Sequence, residues 1–323
     1  MNRIFRAKSM ICLTLLVFGY AARAKGDEAQ QTASANSSVA VKVAYVIGID
    51  GFKAKEKLQA QIDEEGLQLA GKQKKLLLKW DAIEGISFSS ERMELWGIEG
   101  KILRSAIPDG GGMLVAGVLH HRVAILAFAY HAENGLIHRA VLQMPVQDAE
   151  ALSARVGKRL KNPAPATMPH PVCSSYAADG VRVLEPVWNT VAVPESYRAL
   201  LYENLIVQLE KKNSYGAVLR SDAAAQSGCP RWSVQLNASE FRQGNQVQRA
   251  VLGPLGMIAS ATKMNMSMTV RDEQNHEAVS KDVNAAIRAD GASCDIAVKE
   301  AQKASKVFGK VVKMWSKDYP KHA

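Results

Sequence analysis

From Val41 to Tyr130, apolar residues recur at every second position in short runs divided by turn residues. Val41, Val43, Tyr45 and Ile47 make the first run, Leu58, Ala60 and Ile62 the second, Leu67 and Leu69 the third. A period of two sends alternate side chains to opposite faces of a strand. Further runs follow at 76–80, 83–88, 93–96, 101–107, 113–119 and 123–130. Gly66, Gly97, Gly100, Asp109 with the three glycines after it, and Asn134-Gly135 supply the turns. Short strands at close spacing predict a small barrel or sandwich. Residues 148–160 then carry Ala149, Leu152, Val156 and Leu160 at helical spacing, predicting a closing helix.

Residues 161–171 hold four prolines and no apolar period, and read as an extended linker. Beyond it the pattern changes. Strands are predicted at 180–188, 215–219, 232–241, 264–270 and 279–287, and helices at 194–213 and 295–315. The first helix carries Tyr197, Leu201, Leu205 and Leu209 on one stripe. The order β-α-β-β-β-β-α predicts an open mixed sheet covered by its two helices. The fold class expected is thus α+β. An N-terminal barrel closed by a helix (41–160) precedes an open mixed α/β domain (172–318).

The amino terminus reads as export. Arg3, Arg6 and Lys8 precede an apolar run at 11–22, and Ala22-Arg23-Ala24 fits a cleavage site. The run is shorter than the roughly 20 residues of a membrane helix, although a retained anchor is the alternative. Residues 1–24 are expected to be a signal peptide and 25–40 a flexible lead-in. Four of the 41 basic residues lie in that leader. The remaining 37 face 31 acidic residues, so the net charge falls from +10 to +6. Export and this smaller excess argue against a nucleic-acid partner. No other run is long enough to span a bilayer.

Cys173, Cys229 and Cys294 follow the leader. In an oxidising compartment one disulfide and one spare thiol are expected. If strands three to five of the second piece form a meander, the end of strand five meets the start of strand one. That topology would pair Cys173 with Cys294.

The second piece resembles a family of bacterial envelope proteins. Their fold is like that of the curli-secretion lipoprotein and of the amino-terminal domain of the Tol–Pal β-propeller protein. The resemblance rests on 193–197 (VPESY), on 239–245 (SEFRQGN) with Arg249 and Gly253, and on a strand ending at Arg271-Asp272. It covers about 180–310. Pro254 interrupts the small-residue run, and Asn275 stands where glycine is expected. The lipid-attached cysteine of many relatives is absent, which implies a soluble form. The first piece resembles pleckstrin-homology and GRAM-like barrels in its strand–turn series, in Trp80 and Ile83, and in its terminal helix.

Two features can carry chemistry. A two-residue type I′ turn at Asn134-Gly135 would place His131 opposite His138, with Glu133 on the same side. Such a pair could hold zinc or copper, or be two surface histidines. His120 and His121 are strand neighbours and point to opposite faces. The closing helix carries two rows at spacings of 4, 3, 4, 3, 4. One is Lys299, Lys303, Lys306, Lys310, Lys313 and Lys317; the other is Ala297, Ala301, Ala304, Phe308, Val311 and Trp315. An offset of two residues sets them about 200° apart. The apolar row should cover the sheet. The lysine row is either a solvated face or a surface for anionic lipid or polysaccharide.

Residues 250–261 are apolar and unpatterned, either a buried connection or a self-association loop. Asp81, Glu91 and Glu94 read as a solvated strand edge rather than a catalytic pair. No G-x-S-x-G, H-E-x-x-H, P-loop or G-x-G-x-x-G signature appears. No cofactor is implied. The expected function is a non-catalytic binding or assembly module of the cell envelope, periplasmic or extracellular. Its partner would be an envelope protein or an anionic polymer or lipid surface. A hydrolase with dispersed residues and a metal-binding hairpin are the alternatives.

Overall fold

A computed structural model describes residues 40–94, 120–160, 176–212, 216–223, 229–245, 260–272, 277–287 and 292–318. The leader, the lead-in up to residue 39, the Asp109 turn, the proline-rich 161–171, Cys173 and 250–259 lie outside them.

Alternation in the first piece produces seven strands. They are β1 (Ala40–Ile47), β2 (Lys57–Ile62), β3 (Gly66–Ala70), β4 (Lys75–Lys79), β5 (Ile83–Glu94), β6 (His120–His131) and β7 (Ile137–Pro145). All pair antiparallel in the order β4-β3-β2-β1-β7-β6-β5. Helix α1 (Val146–Arg159) follows β7 directly and buries Ala149, Leu152 and Val156. These side chains join Leu58, Leu67, Leu126 and Leu142 in one core on the inner face of the sheet.

β4 and β5 are the two outermost strands, yet only Trp80, Asp81 and Ala82 join them. Such a link spans at most about 14 Å. The sheet must therefore roll until its edges come close, but no ladder joins them. This corrects the closed pleckstrin-homology-like barrel expected above: the architecture is an open rolled sheet. α1 packs against β5, β6 and β7 and occupies the inner space that a closed barrel of these strands would fill with its own side chains. Gly48 marks a close crossing at the end of β1. It has φ +94°, and a Cβ there would sit 1.8 Å from the Arg139 carbonyl oxygen.

The second sheet is open and mixed. β8 (Tyr176–Val183), β9 (Ala217–Arg220), β10 (Cys229–Arg242), β11 (Thr262–Arg271) and β12 (Glu277–Ile287) lie in the order β12-β11-β10-β8-β9. β8 is parallel to β9 and to β10, and β10 to β12 form an antiparallel meander. The even-numbered residues from Trp232 to Ala238 and from Met264 to Val270 are buried beneath α2 (Glu195–Glu210) and α3 (Asp295–Asp318). The meander is as expected, but it runs away from β8. β12 is an edge strand separated from β8 by β11 and β10, and parallel to β8. The end of β12 therefore does not meet the start of β8, the meeting on which the expected Cys173–Cys294 pairing rested.

α2 lies between the layers. It packs on α3 and β9 on one side and on β5, β6 and β7 on the other. Ile125, Ala127 and Val141 from the outer face of the rolled sheet share its core with Val181, Leu201 and Phe308. A helix covered on both sides is apolar around most of its girth. Accordingly Ala199, Leu200, Tyr202 and Ile206 are buried beside the expected stripe of Tyr197, Leu201, Leu205 and Leu209.

Candidate functional site

The β6–β7 hairpin decides where the histidines go. The Gly135 amide donates to the Ala132 carbonyl at 2.8 Å, the Leu136 amide donates to Asn134 Oδ1 at 3.0 Å, and Gly135 has φ +77°. This is a three-residue loop, a tight turn followed by a left-handed residue. The extra residue shifts the register by one, which moves side chains to the other face. His131 thus lies opposite Ile137, and His138 opposite Tyr130. The two imidazoles occupy opposite faces and do not form the expected metal-binding pair. His131 Nε2 instead meets Glu84 Oε1 at 2.9 Å. Among the described residues no group of three potential metal ligands occurs. His120 and His121 begin β6, and their side chains lie outside the described residues.

His138 points to the inner face of the roll. It is 7% exposed, its ring centroid is 5.8 Å from that of Tyr130, and its buried Nε2 has no hydrogen-bond partner. Burial, helped by the charge of Arg220, holds it below the ordinary histidine range. A cavity of about 670 Å³ opens here at the mouth of the roll. Ile49, Leu76, Leu78, Tyr130 and His138 line it, and Asp50, Lys74, Lys75, Lys79 and Glu133 also border it.

The lysine row of α3 is exposed from Lys299 to Lys313, and Ala297, Ala301, Ala304, Phe308 and Val311 are buried as the spacing predicts. The Lys317 side chain lies outside the described residues. The first two lysines do more than face water. Lys299 Nζ donates to the Ala286 carbonyl at 2.8 Å, and Lys303 Nζ donates to the Asn284 carbonyl. Both ammonium groups thus engage the backbone of the edge strand β12. Lys263 and Asn265 stand directly opposite Ala286 and Asn284 in the ladder. With Glu240, which accepts from Asn265 Nδ2 at 2.7 Å, they line a groove of about 570 Å³. Three lysines against one glutamate give the groove a positive balance.

Beneath this surface Glu300 is fully buried. Burial pushes its carboxyl up to about 8, against the pull of Lys303. A second buried charge cluster joins the layers. Glu203 of α2 holds Arg220 of β9, and also accepts the backbone amide of Arg139 at 2.9 Å. Arg220 Nη1 donates to the Ile137 carbonyl at 3.3 Å, and Asp222 accepts the Ile137 amide. The hairpin end of the rolled sheet is therefore held by polar groups of α2 and β9. Burial opposes the charge of Arg220, but the Glu203 carboxylate outweighs it and raises its pKa.

The remaining candidates are dispersed. Glu91 is buried rather than solvated, and Gln243 Nε2 lies 3.5 Å from its Oε1 and 3.3 Å from the Tyr197 hydroxyl. Asp81 is an exposed residue in the turn between β4 and β5, and the Glu94 side chain lies outside the described residues. Cys294 is a free, buried thiol whose pKa burial raises well above the usual range. Sequence reasoning missed Lys263, Asn265 and Asn284, which only strand pairing brings to Lys299 and Lys303. It also missed Glu203 and Arg220, although a glutamate within an apolar helix is a signal in itself.

Among the described residues no helix is long and apolar enough to cross a membrane. No protein-family model matches the chain, and no curated protein matches it. Solved structures with partial likeness include the PelC dodecamer from Paraburkholderia phytofirmans. It is 12% identical with a TM-score of 0.30, covering 41% of this chain and 91% of that one. An uncharacterised protein is 10% identical with a TM-score of 0.24, covering 45% of this chain and 96% of that one.

Proposed function

We propose that this chain is an exported, non-catalytic binding or assembly module of the bacterial cell envelope. Its working surface is the lysine-lined groove at the β12 edge, and its partner is an anionic envelope polymer, lipid surface or protein. The observation that carries this reading is the seating of Lys299 and Lys303 on the β12 backbone beside Lys263. Anchoring two ammonium groups on an edge strand limits pairing with other strands and concentrates positive charge in one place. The leader-like residues 1–24 support an exported location. The resemblance of 180–310 to bacterial envelope proteins supports the same setting.

Binding to anionic vesicles and to an acidic polysaccharide tests the reading. Affinity should fall steeply with added salt, because exposed charges are screened. It should fall at least tenfold in the triple variant Lys263→Glu, Lys299→Glu, Lys303→Glu. Equal binding by that variant, or none by the natural chain to either anionic probe or to any envelope protein, would contradict it.

A further inference from the structure

The groove at the β12 edge carries more chemistry than a positive charge. Lys299 and Lys303 stand four residues apart on α3, a rise of about 6 Å. The carbonyls they meet, on Ala286 and Asn284, stand two residues apart on β12, about 7 Å. The two repeats match, so the β12 backbone holds two ammonium groups in line along the strand. Each ammonium has three donors and gives one to the backbone, which leaves donors for a ligand. Lys263 joins them from the neighbouring strand, directly opposite Ala286.

A surface built for positive charge alone would hold no carboxylate. Here Glu240 is exposed, and Asn265 Nδ2 donates to its Oε2 at 2.7 Å. An ionised carboxylate offers about four acceptor sites, so one amide hydrogen leaves most of that capacity unspent. Asn284, exposed and directly opposite Asn265, adds a second amide. Among the described residues that line the groove, only Ala285 and Ala286 are apolar, and Ala285 is buried. The lining therefore suits a polar ligand rather than an acyl chain.

Taking this groove as the binding surface, as the reading above does, we infer that its ligand is an acidic polysaccharide, a sugar chain with carboxylates on successive units. The carboxylates meet Lys263, Lys299 and Lys303. The ring hydroxyls meet Glu240 and the Asn265 and Asn284 amides. Glu240 decides between kinds of anion. Polyphosphate and anionic headgroups approach mainly with acceptor oxygens, which a carboxylate repels. A sugar chain brings hydroxyl donors, and a hydrogen bond to an ionised acceptor is among the stronger ones.

The probe is oligogalacturonate, titrated into the purified chain at fixed ionic strength. Its fully methyl-esterified form keeps the hydroxyls and loses the charge. Polyphosphate and phosphatidylglycerol vesicles keep the charge without the sugar rings. Oligogalacturonate should bind at least tenfold more tightly than each of the three. Glu240→Ala should weaken oligogalacturonate about fivefold and tighten polyphosphate, opposite signs that the removal of a negative charge alone does not give. Asn284→Ala, on an exposed residue, should weaken oligogalacturonate about threefold and leave polyphosphate unchanged. Equal affinity for oligogalacturonate and for polyphosphate or vesicles, still lost in Lys263→Glu, Lys299→Glu, Lys303→Glu, would overturn the sugar and leave the anion-binding groove standing. Tighter binding of oligogalacturonate by Glu240→Ala, or no saturable binding of it by the natural chain, would also overturn the inference.

Discussion

Glu203 grips Arg220 through two parallel hydrogen bonds, Nη1 to Oε1 at 2.8 Å and Nη2 to Oε2 at 2.6 Å, with both side chains buried. The pair is the centre of the contacts that hold Ile137 and Arg139 of the rolled sheet to α2 and β9. Removing one partner strands the other charge in a dry interior. Arg220→Met should lower unfolding stability by about 3–5 kcal/mol. The double variant Arg220→Met, Glu203→Leu should recover most of that loss, because no lone charge is left. Urea unfolding of the three proteins checks this. A double variant no more stable than the single one would refute it.

Glu300 makes stability depend on pH. Its folded carboxyl titrates at about 8 because it is buried, whereas an unfolded glutamate titrates near ~4.3. Between those values the folded chain holds a proton that the unfolded chain has released. Stability must therefore fall as pH rises through that window. Glu300→Gln should flatten the slope and unfold at higher urea than the natural chain at pH ~8. Parallel slopes for the two proteins would show that the carboxyl is not held protonated.

The hairpin register predicts a silent response to metal. His131 and His138 face opposite sides of the sheet, so one equivalent of zinc should leave Tm unchanged. A ligand that binds only the folded state would raise it. A rise that disappears in both His131→Ala and His138→Ala would mean that the two imidazoles do meet.

Gly48 is constrained twice, by its left-handed backbone and by the 1.8 Å approach of a would-be Cβ to the Arg139 carbonyl. Gly48→Ala should cost about 2 kcal/mol or more. Gly135→Ala shares only the first constraint, since nothing lies within 4 Å of its would-be Cβ, and should cost less. Equal losses in thermal unfolding would contradict the close crossing.

The second piece was legible because its signals are local. Met264, Met266, Met268 and Val270 alternate, and Ala297 to Trp315 keep a helical row, whatever the neighbouring elements do. The failures were matters of long-range pairing. Whether the roll closes depends on β4 meeting β5 and on where α1 lies, and neither is written in the alternation of either strand. Asn134-Gly135 suits both a two-residue and a three-residue loop, and that single residue relocates His138 from a surface pair to a buried wall. α2 showed one stripe, yet two layers bury it. The lysine row was readable as a row. The fact that Lys299 and Lys303 bond to β12 beside Lys263 required the ladder between β11 and β12.

The reading as an exported envelope module meets its most direct test in the living source cell. A photo-crosslinking residue in place of Asn284 would sit in the groove beside Lys303. Irradiation followed by mass analysis should recover a leader-trimmed chain joined to an envelope polymer, lipid or protein, with the adduct lost when Lys263, Lys299 and Lys303 become glutamate. An untrimmed chain joined only to cytosolic molecules would contradict the account.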